Sequence, residues 1–192
     1  MLQMFLIFLA AAFVNNYVLT QFLALCPFFG VSKKMETAVG MGLTVVFVGM
    51  VSSIFTYIFY IAALVPLGLE YLQVVAFILI ISSTVQFVEV FMKKTLKNLY
   101  NLLGIFLPLV TTNCMVFGVV IINVRNDYTF MEMFFNSLGA GAGFLFAIII
   151  LASIREKLDS NSNIPELFRG MPLALFSAGL MSIAFMGFQG LI

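Results

Sequence analysis

The 192-residue chain has no histidine and no tryptophan, only two cysteines, and only 9% charged residues. Without imidazole it lacks the usual ligand for a b-type haem or a catalytic zinc. Two cysteines with no secretory context do not make a disulfide framework. The charge content is far below the roughly 25% of a soluble domain, too little to cover a folded chain with polar surface. A net charge of +1 gives no handle for nucleic acid or an acidic substrate. What the chain does have is 63% hydrophobic residues, 23 of them phenylalanine. Its solvent has to be lipid.

The expected fold is therefore all-α and integral to the membrane, a single domain over residues 1–192. The opening MLQMFLIFLAAAF has no basic n-region, and its apolar pattern continues past Ala10-Ala11-Ala12 to Cys26. This predicts an uncleaved first span rather than a signal peptide. A membrane helix needs about 20 mostly apolar residues. Six stretches qualify, at 4–29, 38–64, 72–92, 99–122, 130–153 and 171–191, with no soluble domain between them. Lys33, Lys34, Lys93, Lys94, Lys97, Arg155, Lys157 and Arg169 fall in loops one, three and five, and only Arg125 on the other side. Such a bias puts loops one, three and five in the cytoplasm and both termini outside.

The two cysteines share one phrase. FLALCPFFG at 22–30 and VTTNCMVFG at 110–118 both end in Cys-x-x-Phe-Gly, in the first span of each half of the chain. GMGLTVVFV at 40–48 is echoed by GAGAGFLFA at 139–147. Three spans per half give the halves, about 1–95 and 96–192, opposite orientations. This is a 3+3 inverted-topology repeat, a plan that places functional sites near the midplane. If spans one and four were continuous helices, the two sulfurs would lie roughly 18 Å apart along the membrane normal. Both spans carry helix breakers: Asn15-Asn16, Thr20-Gln21 and Pro27 in the first; Gly104, Pro108 and Thr111-Thr112-Asn113 in the fourth. We therefore expect both to be discontinuous, each presenting its cysteine near the bilayer centre, where irregular backbone survives only inside protein or along a cavity.

On the residues alone, three roles stay open for Cys26 and Cys114. They are small buried hydrophobes, a mutual disulfide, or thiolate ligands of a metal. Iron–sulfur clusters take four thiolates, so the third role requires a second polypeptide to supply the other two. Glu89, near the end of span three, is a candidate ion-pathway residue as an intramembrane carboxylate. Lys93 lies four residues on, so an ordinary ion pair near the interface is the plainer reading. GAGAG at 139–143 lacks the spacing and context of a nucleotide loop. Gly139 and Gly143 at i, i+4 instead form a helix-packing face, with Gly40 and Gly42 in a similar role.

NNYVLTQFLALCPFFGVSKK, ALVPLGLEYLQVV, LYNLLGIFLPLVTTNCMVFGV and FSAGLMSIAFMGFQGL together resemble the A-subunit family of the Rnf complex. That complex is a membrane-bound, ion-translocating ferredoxin:NAD oxidoreductase. The family is related to the E subunit of the sodium-pumping NADH:quinone reductase. The resemblance runs end to end. Cys-Pro in the first motif and Thr-Thr-Asn-Cys in the second favour the Rnf member. It implies a non-autonomous component of a redox-driven ion translocase in the bacterial inner membrane. Cys26 and Cys114 would supply two ligands to a [2Fe–2S] cluster shared with a homologous, oppositely oriented E subunit. Electrons would pass between ferredoxin- and NAD-side subunits in the cytoplasm and flavin-bearing membrane subunits, coupled to Na+ or H+ transport. Thr112, Asn113 and the backbone N–H groups around Gly30 and Gly118 are then the candidate hydrogen-bond donors to the cluster. The alternatives are a small secondary transporter or channel subunit with no redox role, and a purely structural membrane subunit.

Overall fold

In a computed structural model the chain is all-α, with residues 2–68, 70–95, 109–110, 112–160 and 170–188 described. Helix α1 (Leu2–Leu9) runs into a π-helical turn at Ala10–Val14, followed by α2 (Tyr17–Thr20) and α3 (Leu25–Val31). Next comes α4 (Met35–Phe59), which continues through a second π turn (Tyr60–Leu64) into α5 (Val65–Leu67). A short 3-10 turn precedes α6 (Gln73–Thr95), and then come α7 (Cys114–Arg125), α8 (Phe130–Asp159) and α9 (Met171–Met186).

Length separates these helices into two kinds. Met35–Leu64, Gln73–Lys94 and Phe130–Asp159 are long and apolar enough to cross a membrane. Thirty residues rise about 45 Å, more than the roughly 30 Å hydrocarbon layer. Met4–Val14, Cys114–Arg125 and Met171–Met186 are apolar but shorter. The 12 residues of α7 rise only about 18 Å. Both cysteine-bearing regions thus lack a long uninterrupted helix among the described residues. The break in the first is directly visible. For the fourth, Gly104, Pro108 and Thr111 lie outside the described residues, as do Lys97 and Arg169.

Helix α8 is the central post. Of its apolar membrane window 56% is buried, against 28% for α4 and 22% for α6, whose other faces show Phe47, Phe55, Leu79 and Phe87 to lipid. The glycine run explains the difference. A Cβ on Gly139 would lie 2.6 Å from the Phe8 carbonyl oxygen, and one on Gly143 would lie 2.8 Å from that of Ala12. On another face, a Cβ on Gly141 would meet the Val46 Cα at 3.1 Å, and Gly42 of α4 faces Leu145. The expected small-residue packing face is present, and it lets α1 and α4 press their backbones against the same helix. Phe28, Phe77 and Phe144, all fully buried, fill the core between these contacts.

Two sequence expectations change. The apolar pattern predicts an end to span five at 153, but α8 continues to Asp159, so Arg155 is a helix residue rather than a loop charge. It is only 4% exposed because its side chain turns inward to polar partners on the first span. Pro27 does not break the first span. It sits in the first turn of α3, where its missing N–H is needed least, and the break lies upstream of it.

Candidate functional site

The first span comes apart at two points, one satisfied by its own Asn16 and the other by a side chain from another helix. At the first, Asn16 takes extended ψ and caps α2, its side-chain oxygen accepting the Val18 N–H at 3.1 Å. Its Nδ2 donates to the carbonyls of Ala12 at 3.3 Å and Gly143 at 3.0 Å. One buried carboxamide thereby serves both sides of the break, and the absence of a side chain on Gly143 gives it access. At the second point, the backbone turns through Phe22 (φ 55°) and Ala24 (φ 64°), left-handed values that non-glycine residues seldom adopt. Ser182 of α9 donates to the Leu19 carbonyl at 2.6 Å, supplying a bond lost where α2 stops.

The chain then enters α3, with Cys26 its second residue. On the other segment, Asn113 caps α7 and Cys114 is that helix's first residue. The Asn113 oxygen accepts the Met115 N–H at 3.0 Å. Its Nδ2 is buried and has no hydrogen-bond partner among the described residues.

The two phrases meet in space. The Ala24 N–H donates to the Cys114 sulfur at 3.0 Å. Ala24 and Cys26 are two residues apart, so their Cα atoms lie within about 7 Å. The Cys114 sulfur therefore sits beside the entry to the Cys26 helix, unlike the roughly 18 Å separation of continuous helices. Leu23 completes the junction, since a Cβ on Gly118 would lie 2.8 Å from its Cδ1. Both cysteines are free and exposed on this chain. Neither is a buried side chain of this chain's own core. Both sit in the first turn of a helix.

Among the described residues, no group of three or more His, Cys, Asp or Glu could hold a metal. The donor set here is two exposed thiols, half of a four-thiolate shell, and these residues fit a cluster whose other half comes from elsewhere. Gly118 and Gly30 lie within α7 and α3, both half-buried, and Thr112 is exposed in the turn before Asn113. Glu89 is half-buried on α6, one turn before Lys93 and away from the cysteines in sequence.

Sequence reasoning missed two contributors. Ala24 offers its N–H because of a left-handed backbone that alanine does not advertise. Arg155 donates to the Phe29 carbonyl at 2.9 Å and the Ser32 hydroxyl at 2.8 Å, at the C-terminal end of the Cys26 helix. A buried polar chain lies beyond Cys114. Tyr17 donates to Asn136, Asn136 to Asn123, Asn123 to Ser137 and Ser137 to Ser53, over 2.7–3.3 Å.

Residues 4–192 match the family described as Rnf-Nqr subunit, membrane protein. The chain belongs to the Rnf-Nqr family. It is 53% identical over 185 residues, 96% of each chain, to the A subunit of the Na(+)-translocating ferredoxin:NAD(+) oxidoreductase complex of Acetobacterium woodii. It is 48% identical over the full length of both chains to the A subunit of the ion-translocating oxidoreductase complex of Vibrio campbellii. The same component from Yersinia pseudotuberculosis is 50% identical over 192 residues, 100% of this chain and 99% of the relative. Membership of the Rnf-Nqr family agrees with the resemblance carried by the cysteine phrases, and with the apolar helices of a membrane protein.

Proposed function

We propose that this chain is the A subunit of an ion-translocating ferredoxin:NAD oxidoreductase complex, in which Cys26 and Cys114 are two of the four ligands of an intramembrane [2Fe–2S] cluster. The observation that carries the reading is the meeting of the two phrases. The Cys114 sulfur accepts the Ala24 N–H while both thiols remain free and exposed. A homologous, oppositely oriented E subunit supplies the other two thiolates. When bound, the cluster provides a one-electron carrier inside a hydrocarbon layer of about 30 Å that electrons otherwise cross poorly.

This chain's own residues hold the site and shape its surroundings. The Ala24 N–H holds the Cys114 sulfur, and a donor to a ligand sulfur favours its more negative state. Asn113 sets the start of α7, and its Nδ2, next in sequence to Cys114, has no partner among the described residues. Thr112 and the backbone around Gly30 and Gly118 are further donors close in sequence to the cysteines. The surplus of basic residues in loops one, three and five puts those loops in the cytoplasm. Cytoplasmic ferredoxin- and NAD-side subunits and membrane flavin subunits are the redox partners on the two faces. The coupled ion is Na+ or H+, with Glu89 as this chain's candidate relay.

The test is iron and acid-labile sulfide analysis of the purified complex beside Cys26→Ser and Cys114→Ser. Each variant should lose the same two irons and two sulfides as one unit. Unchanged iron in an assembled complex would favour a scaffold or a transporter subunit instead.

A further inference from the structure

Arg155 is a guanidinium buried in a membrane helix, and both partners it holds on the first span are neutral. We propose that Arg155 is a positioning residue for Cys26. It ties down the C-terminal end of the short cysteine helix and fixes a positive charge behind the sulfur. The proposal rests on the reading of Cys26 as a cluster ligand.

The last carbonyls of any helix lack partners within it, and at an end buried as Val31 and Ser32 are, water does not supply them. Helix α3 has only seven residues, so its end lies close to its start. Phe29 is three residues after Cys26, about 5 Å along the axis. The Nη1 of Arg155 donates to both the Phe29 carbonyl and the Ser32 hydroxyl, bracketing that end. A cation there also complements the negative pole of α3.

A neutral side chain would satisfy one carbonyl as well, and burying a permanent charge is costly unless something compensates it. A cysteine sulfur acting as a ligand carries negative charge, and one added electron increases the negative charge of the site. A fixed cation nearby therefore favours the reduced state. Helix α8 suits the task because its glycine contacts with α1 and α4 leave it little freedom to move. Phe28 and Val31, both buried, hold α3 in place on the same side.

The test is a redox titration followed by low-temperature EPR on membranes containing the whole complex, reading the component that Cys114→Ser removes. Arg155→Gln keeps a donor for Phe29 and removes the charge. Arg155→Lys keeps the charge and rearranges the donors. The expected result is a midpoint shifted to more negative potential in Arg155→Gln at wild-type iron content, with Arg155→Lys close to wild type. An unchanged midpoint in Arg155→Gln overturns the proposal. If Arg155→Gln does not accumulate, Arg155→Lys decides. An assembled complex of near-wild-type potential supports the role, whereas failure of both variants to accumulate assigns Arg155 to folding and overturns it. A wild type with no Cys114-dependent component removes the underlying cluster reading itself, a result distinct from the others.

Discussion

Cys26 and Cys114 stand in the same phrase, yet the chain arrives at them by different routes. In the second segment the asparagine cap directly precedes the cysteine. Asn113 has φ −71° and ψ 109°, and α7 begins at Cys114. In the first, the equivalent cap is Asn16, with φ −61° and ψ 104°, ten residues before Cys26. Between them lie α2 and the left-handed turn through Phe22 and Ala24. The first segment is tied by other helices, through Gly143, Ser182 and Arg155. The visible cap of the second is local. A repeated phrase thus need not repeat the backbone that delivers it.

Substitutions at four positions sharpen or break this contrast, each read as a shift in the thermal unfolding midpoint of the detergent-solubilised complex. Asn16→Ala should be the most severe. It leaves the buried Val18 N–H unsatisfied and takes one bond each from the Ala12 and Gly143 carbonyls, a loss of about 3 kcal/mol at about 1–3 kcal/mol for an unsatisfied buried group. Gly143→Ala should cost about 2 kcal/mol, because its Cβ meets the Ala12 backbone, which has no rotamer by which to yield. Asn113→Ala should cost about 1 kcal/mol, the loss of one cap, and Asn113→Ser should recover most of it. Gly118→Ala should be mildest, below about 1 kcal/mol, since its Cβ meets only the flexible end of Leu23. Equal costs for Asn16→Ala and Asn113→Ala would erase the distinction between a span braced by its neighbours and one capped locally.

Much of this architecture was legible in the sequence because the signals were local and chemically unusual for lipid. An asparagine pair inside an apolar run marks a break, and two cysteines in one phrase mark two segments that meet in space. Gly139 and Gly143 at helical spacing mark a close contact, which the Phe8 and Ala12 carbonyls confirm. The misses were tertiary. Arg155 stands next to Glu156 and Lys157 at the end of an apolar stretch, so its charge reads as a loop. Only the approach of Phe29 and Ser32, more than 120 residues away in sequence, makes an inward orientation favourable. Ala24 carries no side-chain signal for a left-handed backbone, and its N–H contact with Cys114 depends on where another span is placed. Pro27 was legible as punctuation, but its position in the first turn of α3 makes it a start rather than a stop.

The central claim is that two exposed thiols brought together on this chain are half of a redox centre. Low-temperature EPR of the reduced complex, comparing wild type with Cys26→Ser and Cys114→Ser, tests it most directly. The account predicts a [2Fe–2S] signal in the wild type that disappears in each single variant, with electron transfer through the complex lost alongside it. A signal and an electron-transfer rate that both survive in the two variants would contradict it.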